Sequence, residues 1–191
     1  MSLLKIATIG HPVLREVSRT LSRQELGEPA TQAFIDDLVE TMRDAKGAGL
    51  AANQVYRPVQ ICAIEVSDNP RYPYKPNIPL TILVNPVLEP MGSERFANYE
   101  GCLSVPDLRG EVARYVEVRV RAWDRTGRDL DFVVRGLSAG TFQHEVDHLQ
   151  GKLFVDGVAD TRTLTSWKEF ERHGQAAFIE RARALVARFG A

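Results

Sequence analysis

The chain has 191 residues, of which 44% are hydrophobic and 26% are charged, and its formal net charge is −1. These values predict a soluble globular protein with one sizeable core, and they give no sign of a surface for DNA or for a membrane. Two cysteines and the absence of a long apolar run argue against a disulfide framework and a membrane span, and favour a reduced, cytoplasmic setting.

Helical turns and two buried strands are predicted in the first half of the chain. The segment GHPVLREVS (10–18) begins with a turn signal and then favours one or two helical turns. Apolar residues at helical spacing predict a helix over 31–47. The apolar runs VQICAIEV (59–66) and LTILVNP (80–86) predict strands, with Cys62 in the core of the first.

A proline-rich segment separates these two strands. It reads SDNPRYPYKPNIP (67–79), with a proline at every third position from Pro70 to Pro79. This spacing suits an extended, polyproline-like path. We predict an exposed loop insertion over residues 68–79.

The second half of the chain predicts a hairpin followed by two helices. Residues 111–124 alternate valines with charged residues, which predicts one half-buried strand, and a turn then leads into a second strand at 130–136. A helix is predicted over 137–151, ended by its terminal glycine. A last helix, broken or bent near Gly174, is predicted over about 163–188.

This order of elements predicts the fold class. Strands joined as hairpins rather than as βαβ units, with helices on the flanks, are typical of α+β folds. We expect antiparallel strands packed around the helix at 137–151, with a C-terminal helix, in a single domain spanning residues 1–191. The sequence has no internal repeat and no low-complexity tail.

Two histidines lie four residues apart in QHEVDHLQG, near the C-terminal end of the predicted domain. On a helix, His144 and His148 project from one face one turn apart, so both can bind one cation. Glu145 lies one position further round, where it can reach a metal-bound water without binding the metal. The alternative is a pair of histidines packed in a polar helix face. A catalytic metal site of this kind needs a third protein ligand and one open position.

The HExxH motif alone leaves the third ligand open. A longer pattern with a third histidine is excluded because Phe154 stands at that position. Glu169, on the predicted last helix, lies at a workable distance and would make the protein a metallopeptidase. Cys102, in NYEGCLSVPD, offers a thiolate, which is a strong ligand for zinc or iron(II). A structural metal in a non-catalytic module is a further alternative, but it needs a fourth protein ligand and no CxxC pair is present.

Small residues and one amide join the predicted first helix to the first strand. The stretch KGAGLAANQV (46–55) lets another backbone lie close, as when a peptide adds to a sheet as a strand. A close contact between helix and strand is the alternative explanation. The side-chain amide of Gln54 can in addition donate a hydrogen bond to a developing oxyanion.

Together, these stretches resemble the peptide deformylases. GAGLAANQ (47–54), EGCLS (100–104) and HEVDH (144–148) match the family motifs GxGLAAxQ, EGCLS and HExxH in their order, and the early GHPVLR also resembles the family's start. The resemblance implies a hydrolase that removes the formyl group from N-formylmethionyl nascent peptides and contacts the ribosome transiently. The proline-rich segment 68–79 departs from it, because a minimal member needs fewer residues there.

The resemblance also implies the metal centre. It makes Cys102, His144 and His148 the metal ligands, with water in the fourth place. It makes Glu145 the acid and base. The expected metal is iron(II), with zinc, nickel or cobalt also able to occupy the site.

The same resemblance implies how the substrate is held. Gln54 and the backbone N–H of Leu103 become the donors to the oxyanion. The backbones of Ala48, Gly49 and Gly101 pair with the peptide.

Three charged residues near the motifs carry further predictions. We predict that Arg109 contacts the substrate chain or its carboxylate, an ordinary surface arginine being the alternative. Glu100 and Asp147 are expected to hold the ligand-bearing segments in place, as partners of metal-binding histidines often do. Solvated side chains are the alternative for both.

Overall fold

The computed structural model describes residues 2–67 and 74–190. Its helices within these ranges are α1 (Arg23–Gly27), α2 (Pro29–Asp44), α3 (Gly136–Leu149), α4 (Trp167–Glu169) and α5 (Gln175–Phe189). Its strands are β1 (Gly49–Ala51), β2 (Ile61–Val66), β3 (Ile78–Pro90), β4 (Arg95–Cys102), β5 (Val105–Tyr115), β6 (Glu117–Trp123), β7 (Asp129–Arg135) and β8 (Thr165–Ser166). Short 3₁₀ turns occupy Pro12–Arg15, Ala52–Val55, Phe154–Gly157 and Thr161–Thr163, and a π-helical turn at Phe170–Gly174 joins α4 to α5.

The strands form two antiparallel sheets. In the larger sheet the order is β1-β2-β3-β6-β7, and in the smaller one it is β4-β5-β8. β1 and β4 therefore each lie at an edge of their sheet. The prediction of an α+β fold with antiparallel strands and a C-terminal helix is confirmed.

Strand β2 shows how the sequence builds the core on both faces of the larger sheet. Ile61 and Ala63 pack in a hydrophobic cluster with α2, while Cys62 and Ile64 pack on the opposite face in a cluster with α3. A strand covered on both faces reads as a continuous apolar run rather than as an alternation. The predicted strand at 59–66 and the buried position of Cys62 are confirmed.

Helix α3 lies between the sheets and contacts strands of both, as well as α5. Its apolar side chains, such as Phe142 and Leu149, pack on the larger sheet. Gly151, just beyond the helix end, has a φ of +71°. Because L side chains disfavour this conformation, glycine suits the helix stop that the sequence predicts.

One strand prediction is wrong. Residues 111–124 do not form a single strand, because β5 ends at Tyr115 and β6 starts at Glu117, in the other sheet. Val116 between them is buried, and the inward-facing positions stay in phase from Val112 through the corner. Periodicity alone therefore could not reveal the change of sheet. β4 was not predicted either, since its sequence RFANYEGC has no regular alternation of apolar residues.

The last helix and the proline-rich segment 68–79 differ partly from prediction. The last helix begins at Trp167 instead of 163, and the predicted irregularity near Gly174 is the π-helical turn. Residues 68–73 of the proline-rich segment lie outside the described residues. Its described end is only partly exposed, because Asn77 and Pro79 are exposed whereas Tyr74 is buried and Lys75 is half-buried. Among the described residues, no helix is long and apolar enough to cross a membrane.

Candidate active site

The three residues predicted to bind metal lie together. Cys102 is the last residue of β4, and His144 and His148 lie one turn apart on α3. The Sγ atom of Cys102 is 3.2 Å from Nε2 of His148, which is itself 3.2 Å from Nε2 of His144. All three donor atoms lie within 4.8 Å of one another. The fold thus brings β4 and α3, which are distant in sequence, to one point.

The donor set fits a divalent cation. In tetrahedral zinc-type sites the metal–ligand bonds place neighbouring donors roughly 3.3–3.8 Å apart, close to the spacing of these atoms. One thiolate and two imidazole nitrogens suit zinc or iron(II). Nδ1 of His144 lies 2.8 Å from Oε2 of Glu100, which directs the other ring nitrogen towards Cys102 and His148.

A buried ion-pair network lies next to the cluster and contacts it through His144. The Glu100 carboxylate accepts hydrogen bonds from Nε and Nη2 of Arg114 at 2.7 and 2.9 Å, and Asp147 accepts one from Nη1 of the same side chain. Burial alone would raise the pKa of Glu100, but the Arg114 guanidinium and then His144 outweigh it and hold the pKa below its usual value. Glu100 is therefore an anion that orients His144. The expectation that Glu100 and Asp147 hold the ligand-bearing segments agrees with these contacts.

Sequence reasoning missed Arg114. No role is predicted for Arg114 from the sequence, and the residue is 7% exposed. The alternation of the strand could have predicted that Arg114 is buried, because Arg114 lies midway between Val112 and Val116 and faces the same side.

Glu145 follows His144 directly in sequence and is 4% exposed. Its Oε2 atom has no hydrogen-bond partner among the described residues. Burial raises the pKa of Glu145 to about 7. A Cβ atom on Gly49 would overlap the Glu145 carboxyl group, so glycine at that position makes room for it. The carboxyl group is thus enclosed beside the cluster.

Gln54 presents its amide group to the same cluster. Its Oε1 accepts a hydrogen bond from the backbone N–H of Ala51 at 2.8 Å, which leaves the NH₂ group pointing towards Cys102. Nε2 lies 3.0 Å from Oγ of Ser104 and 3.4 Å from Sγ of Cys102. Leu103 follows Cys102 in the turn between β4 and β5. The side-chain amide of Gln54 and the turn between β4 and β5, which carries Leu103, therefore both lie beside the Cys102 sulfur.

One cavity joins these groups. All the residues predicted to bind substrate line it, namely Ala48, Gly49, Gly101 and Arg109. Arg109 is buried, with its guanidinium carbon 4.3 Å from the ring centre of Trp167 and 4.7 Å from that of Phe170. The surface alternative for Arg109 is therefore wrong. Five further lining residues lie outside the motifs and were missed by sequence reasoning: Lys75, Asn98, Tyr99, Gly140 and Thr141.

Glu169 does not join the cluster. It lies on α4, where its carboxylate forms ion pairs with Arg172 and His173 and its side chain is 49% exposed. Within the described residues, the group able to hold a metal consists of Cys102 and the two histidines. Glu169 is therefore not the third ligand that the metallopeptidase alternative needs, and the described residues add no fourth protein ligand for a structural metal site.

Comparison with known proteins identifies the family. Residues 3–163 match the sequence model of the polypeptide deformylases. The chain belongs to the peptide deformylase family. Peptide deformylase 1 of Prochlorococcus marinus (strain MIT 9313) is 39% identical over 175 residues, which cover 91% of this chain and 90% of the relative.

Solved structures agree with this assignment. A class I type b peptide deformylase from Acinetobacter baumannii, crystallised with Met-Ala-Ser bound, matches with a TM-score of 0.79 at 36% identity, over 82% of this chain and 99% of that one. A peptide deformylase from Synechococcus elongatus in complex with actinonin matches with a TM-score of 0.74 at 29% identity, over 98% and 86% of the two chains.

The family consists of metal-dependent enzymes whose known function is the deformylation of nascent peptides. The predictions of family and of enzyme class are confirmed. The Cys102, His144 and His148 group is a possible metal site of the kind that such an enzyme requires.

Proposed function

We propose that this protein removes the formyl group from peptides that begin with formylmethionine, with Cys102, His144 and His148 as metal ligands and Glu145 as acid and base. The observation that carries the proposal is a buried carboxyl group without a described hydrogen-bond partner, enclosed beside a Cys/His/His cluster in one cavity. Deformylation of formyl-Met-Ala-Ser yields Met-Ala-Ser, the peptide bound to the Acinetobacter relative.

The proposed metal is iron(II), in line with the resemblance, and zinc, nickel and cobalt suit the same donors. When bound, a divalent cation supplies a Lewis acid for the formyl oxygen and lowers the pKa of a water ligand. With three protein ligands, one coordination position stays open for that water.

Glu145 moves the proton in the proposed reaction. Its carboxylate accepts a proton from the attacking water as the water oxygen forms a bond to the formyl carbon. The tetrahedral adduct then loses its C–N bond, and Glu145 returns the proton to the departing amine nitrogen. The immediate products are formic acid and a peptide with a neutral amino group. Formic acid then gives up its proton, which the amino group takes up, so that formate and a protonated amino terminus result and atoms and charges balance.

Gln54 and Leu103 stabilise the oxyanion of the adduct. The side-chain NH₂ group of Gln54 already points at the cysteine side of the cluster, next to the turn that carries the Leu103 backbone. A donor of this kind contributes about 3–4 kcal/mol to transition-state stabilisation in comparable sites. Because Gln54 is held by Ala51 and Ser104, it needs little reorganisation during the reaction.

The peptide substrate is proposed to lie between the two sheets. β1 and β4 are edge strands that both border the cavity, so the backbones of Ala48, Gly49 and Gly101 are available to pair with an extended peptide. Arg109, whose guanidinium group packs against the Trp167 ring, would contact the peptide chain. A formyl carbon carries only a hydrogen, and the enclosed space between Gly49 and Cys102 would exclude the methyl group of an acetyl substrate.

The biological setting is also a proposal. Because the family acts on nascent peptides, we propose that residues 1–191 form one catalytic domain in the cytoplasm that meets its substrates transiently at the ribosome. The reaction itself needs only the peptide, so it can be tested without the ribosome.

The decisive experiment compares formyl-Met-Ala-Ser with acetyl-Met-Ala-Ser at matched metal content, following release of formate, acetate and free amine. We expect turnover of the formyl peptide and a kcat/KM at least about a hundredfold lower for the acetyl peptide, since the pocket must reject added bulk at the reacting carbon. Fully metal-loaded protein that releases no formate would overturn the proposal. Equal rates on both peptides would overturn the proposed selectivity.

A further inference from the structure

The cavity extends along α3 beyond the metal cluster. Gly140 and Thr141 line it four residues before His144 and Glu145, which is a displacement of about 6 Å along the helix. In a formylated peptide, the first side chain begins at the carbon bonded to the amide nitrogen, next to the reacting centre. A side chain of methionine's length therefore reaches this part of the cavity when the formyl group lies at the cluster.

The wall in this region carries several polar groups. Gly140 has no side chain, and a Cβ there would lie 3.0 Å from the amide nitrogen of Asn98 and 3.1 Å from Cζ of Phe96. Nζ of Lys75 donates a hydrogen bond to Oγ1 of Thr141 at 3.0 Å. An ammonium, a hydroxyl and an amide group thus border the space that a first side chain would enter.

The Lys75 ammonium is charged at neutral pH. Burial lowers the pKa of Lys75 to about 8, although Glu100 and Glu145 partly offset this effect by attraction. Glu100 is already bonded to Arg114 and His144. A half-buried cation loses hydration when an aliphatic chain covers it, whereas an oxygen acceptor replaces that hydration with a charge-assisted hydrogen bond.

We propose that Lys75 is a specificity-determining residue, which makes the cavity prefer a first side chain of about methionine's length that ends in a hydrogen-bond acceptor. Glutamine meets this description, norleucine has the same length without an acceptor, and the methionine thioether is a weak acceptor between them. The inference rests on the proposed function, since it concerns the substrate of the same cavity. It also gives the described end of the proline-rich segment 68–79 a role in the site.

The test measures kcat/KM for formyl-Gln-Ala-Ser and formyl-Nle-Ala-Ser in the wild-type protein and in Lys75→Met, which keeps an unbranched chain but removes the ammonium. We expect the ratio of glutamine to norleucine peptide to fall at least about tenfold in the variant, the size expected for one hydrogen bond to a charged group. The matched control is Lys5→Met, which changes an exposed lysine outside the cavity and should leave the ratio unchanged.

Metal content and thermal midpoint establish that each variant is folded. If Lys75→Met does not fold, Thr141→Val serves in its place, because it removes the acceptor that holds the ammonium and should also lower the ratio. An unchanged ratio in the folded variant, with norleucine turnover retained, overturns the inference and leaves the proposed function intact. Metal-loaded wild-type protein inactive on both peptides and on formyl-Met-Ala-Ser would overturn both.

Discussion

Oε2 of Glu100 lies 2.8 Å from Nδ1 of His144, and the same carboxylate is held by two hydrogen bonds from Arg114. The anion fixes the His144 ring with a proton on Nδ1, so that Nε2 is the lone-pair nitrogen facing the cluster. Partners of this kind raise the basicity of a metal-binding imidazole and fix its orientation. The proposed metal centre thus depends on a residue that is not itself a proposed ligand.

We expect Glu100→Gln to weaken metal binding by about 10–100-fold, because the amide cannot provide the negative charge that orients His144. Competition against a chelator of known affinity measures the change. Glu94→Gln is the control, since Glu94 forms an exposed ion pair with Arg188 and should leave affinity unchanged. Unaltered affinity in the Glu100 variant would contradict the orienting role.

Removing the third ligand separates the two enzyme classes considered from sequence. Cys102→Ala should lose most of its bound metal, because the two histidines alone leave the ion without its thiolate. Glu169→Ala should keep full metal content, since that side chain is exposed and paired with Arg172. Metal analysis of both purified variants decides between them, and the reverse pattern would reinstate the metallopeptidase.

Glu145→Gln should keep the metal and the fold but lose turnover by about 10²–10⁴-fold, because an amide of the same shape cannot accept a proton from water. The measurement pairs formate release with metal content per chain. A metal-free variant would instead make Glu145 a ligand, and near-normal turnover would require another base.

Gly49→Ala tests how tightly Glu145 is enclosed. The added methyl group would overlap the Glu145 carboxyl group and displace it. A shift of about 1 Å in a catalytic group can cost about a hundredfold in rate, so we expect a loss of that order in kcat with metal content unchanged. Gly27→Ala is the control, because nothing lies within 4 Å of its added Cβ. Full activity of Gly49→Ala would show that the carboxyl group tolerates displacement.

Exposure to air tests the proposed iron(II). A thiolate ligand beside a redox-active ion in a site open to water oxidises readily. Activity of the iron-loaded protein should therefore decay in air in step with iron loss, while the nickel-loaded protein should stay active. Time courses for the iron, nickel and zinc forms measure this. An iron form as durable as the nickel form, or a zinc form as fast as either, would rule out iron as the working metal.

The sequence by itself determined the parts of this protein that depend on local geometry. The four-residue spacing of His144 and His148 places both on one face of a helix, and Glu145 follows from the same helical turn. Strand β2 could be predicted because burial on both faces leaves a continuous apolar run. The ordered motifs added the family and a candidate role for each residue within them.

Only the tertiary structure decided which distant side chains meet the cluster. Cys102 joins the histidines, and Glu169 does not, because the hairpin of β4 and β5 packs against α3 while α4 turns its glutamate to solvent. Lys75 lines the cavity although the segment that carries it was predicted to be an exposed loop, and Arg114 is a buried charge in a strand that was predicted to be half-buried. Burial of a charged side chain is set by the partners that packing supplies, and those partners lie far away along the chain.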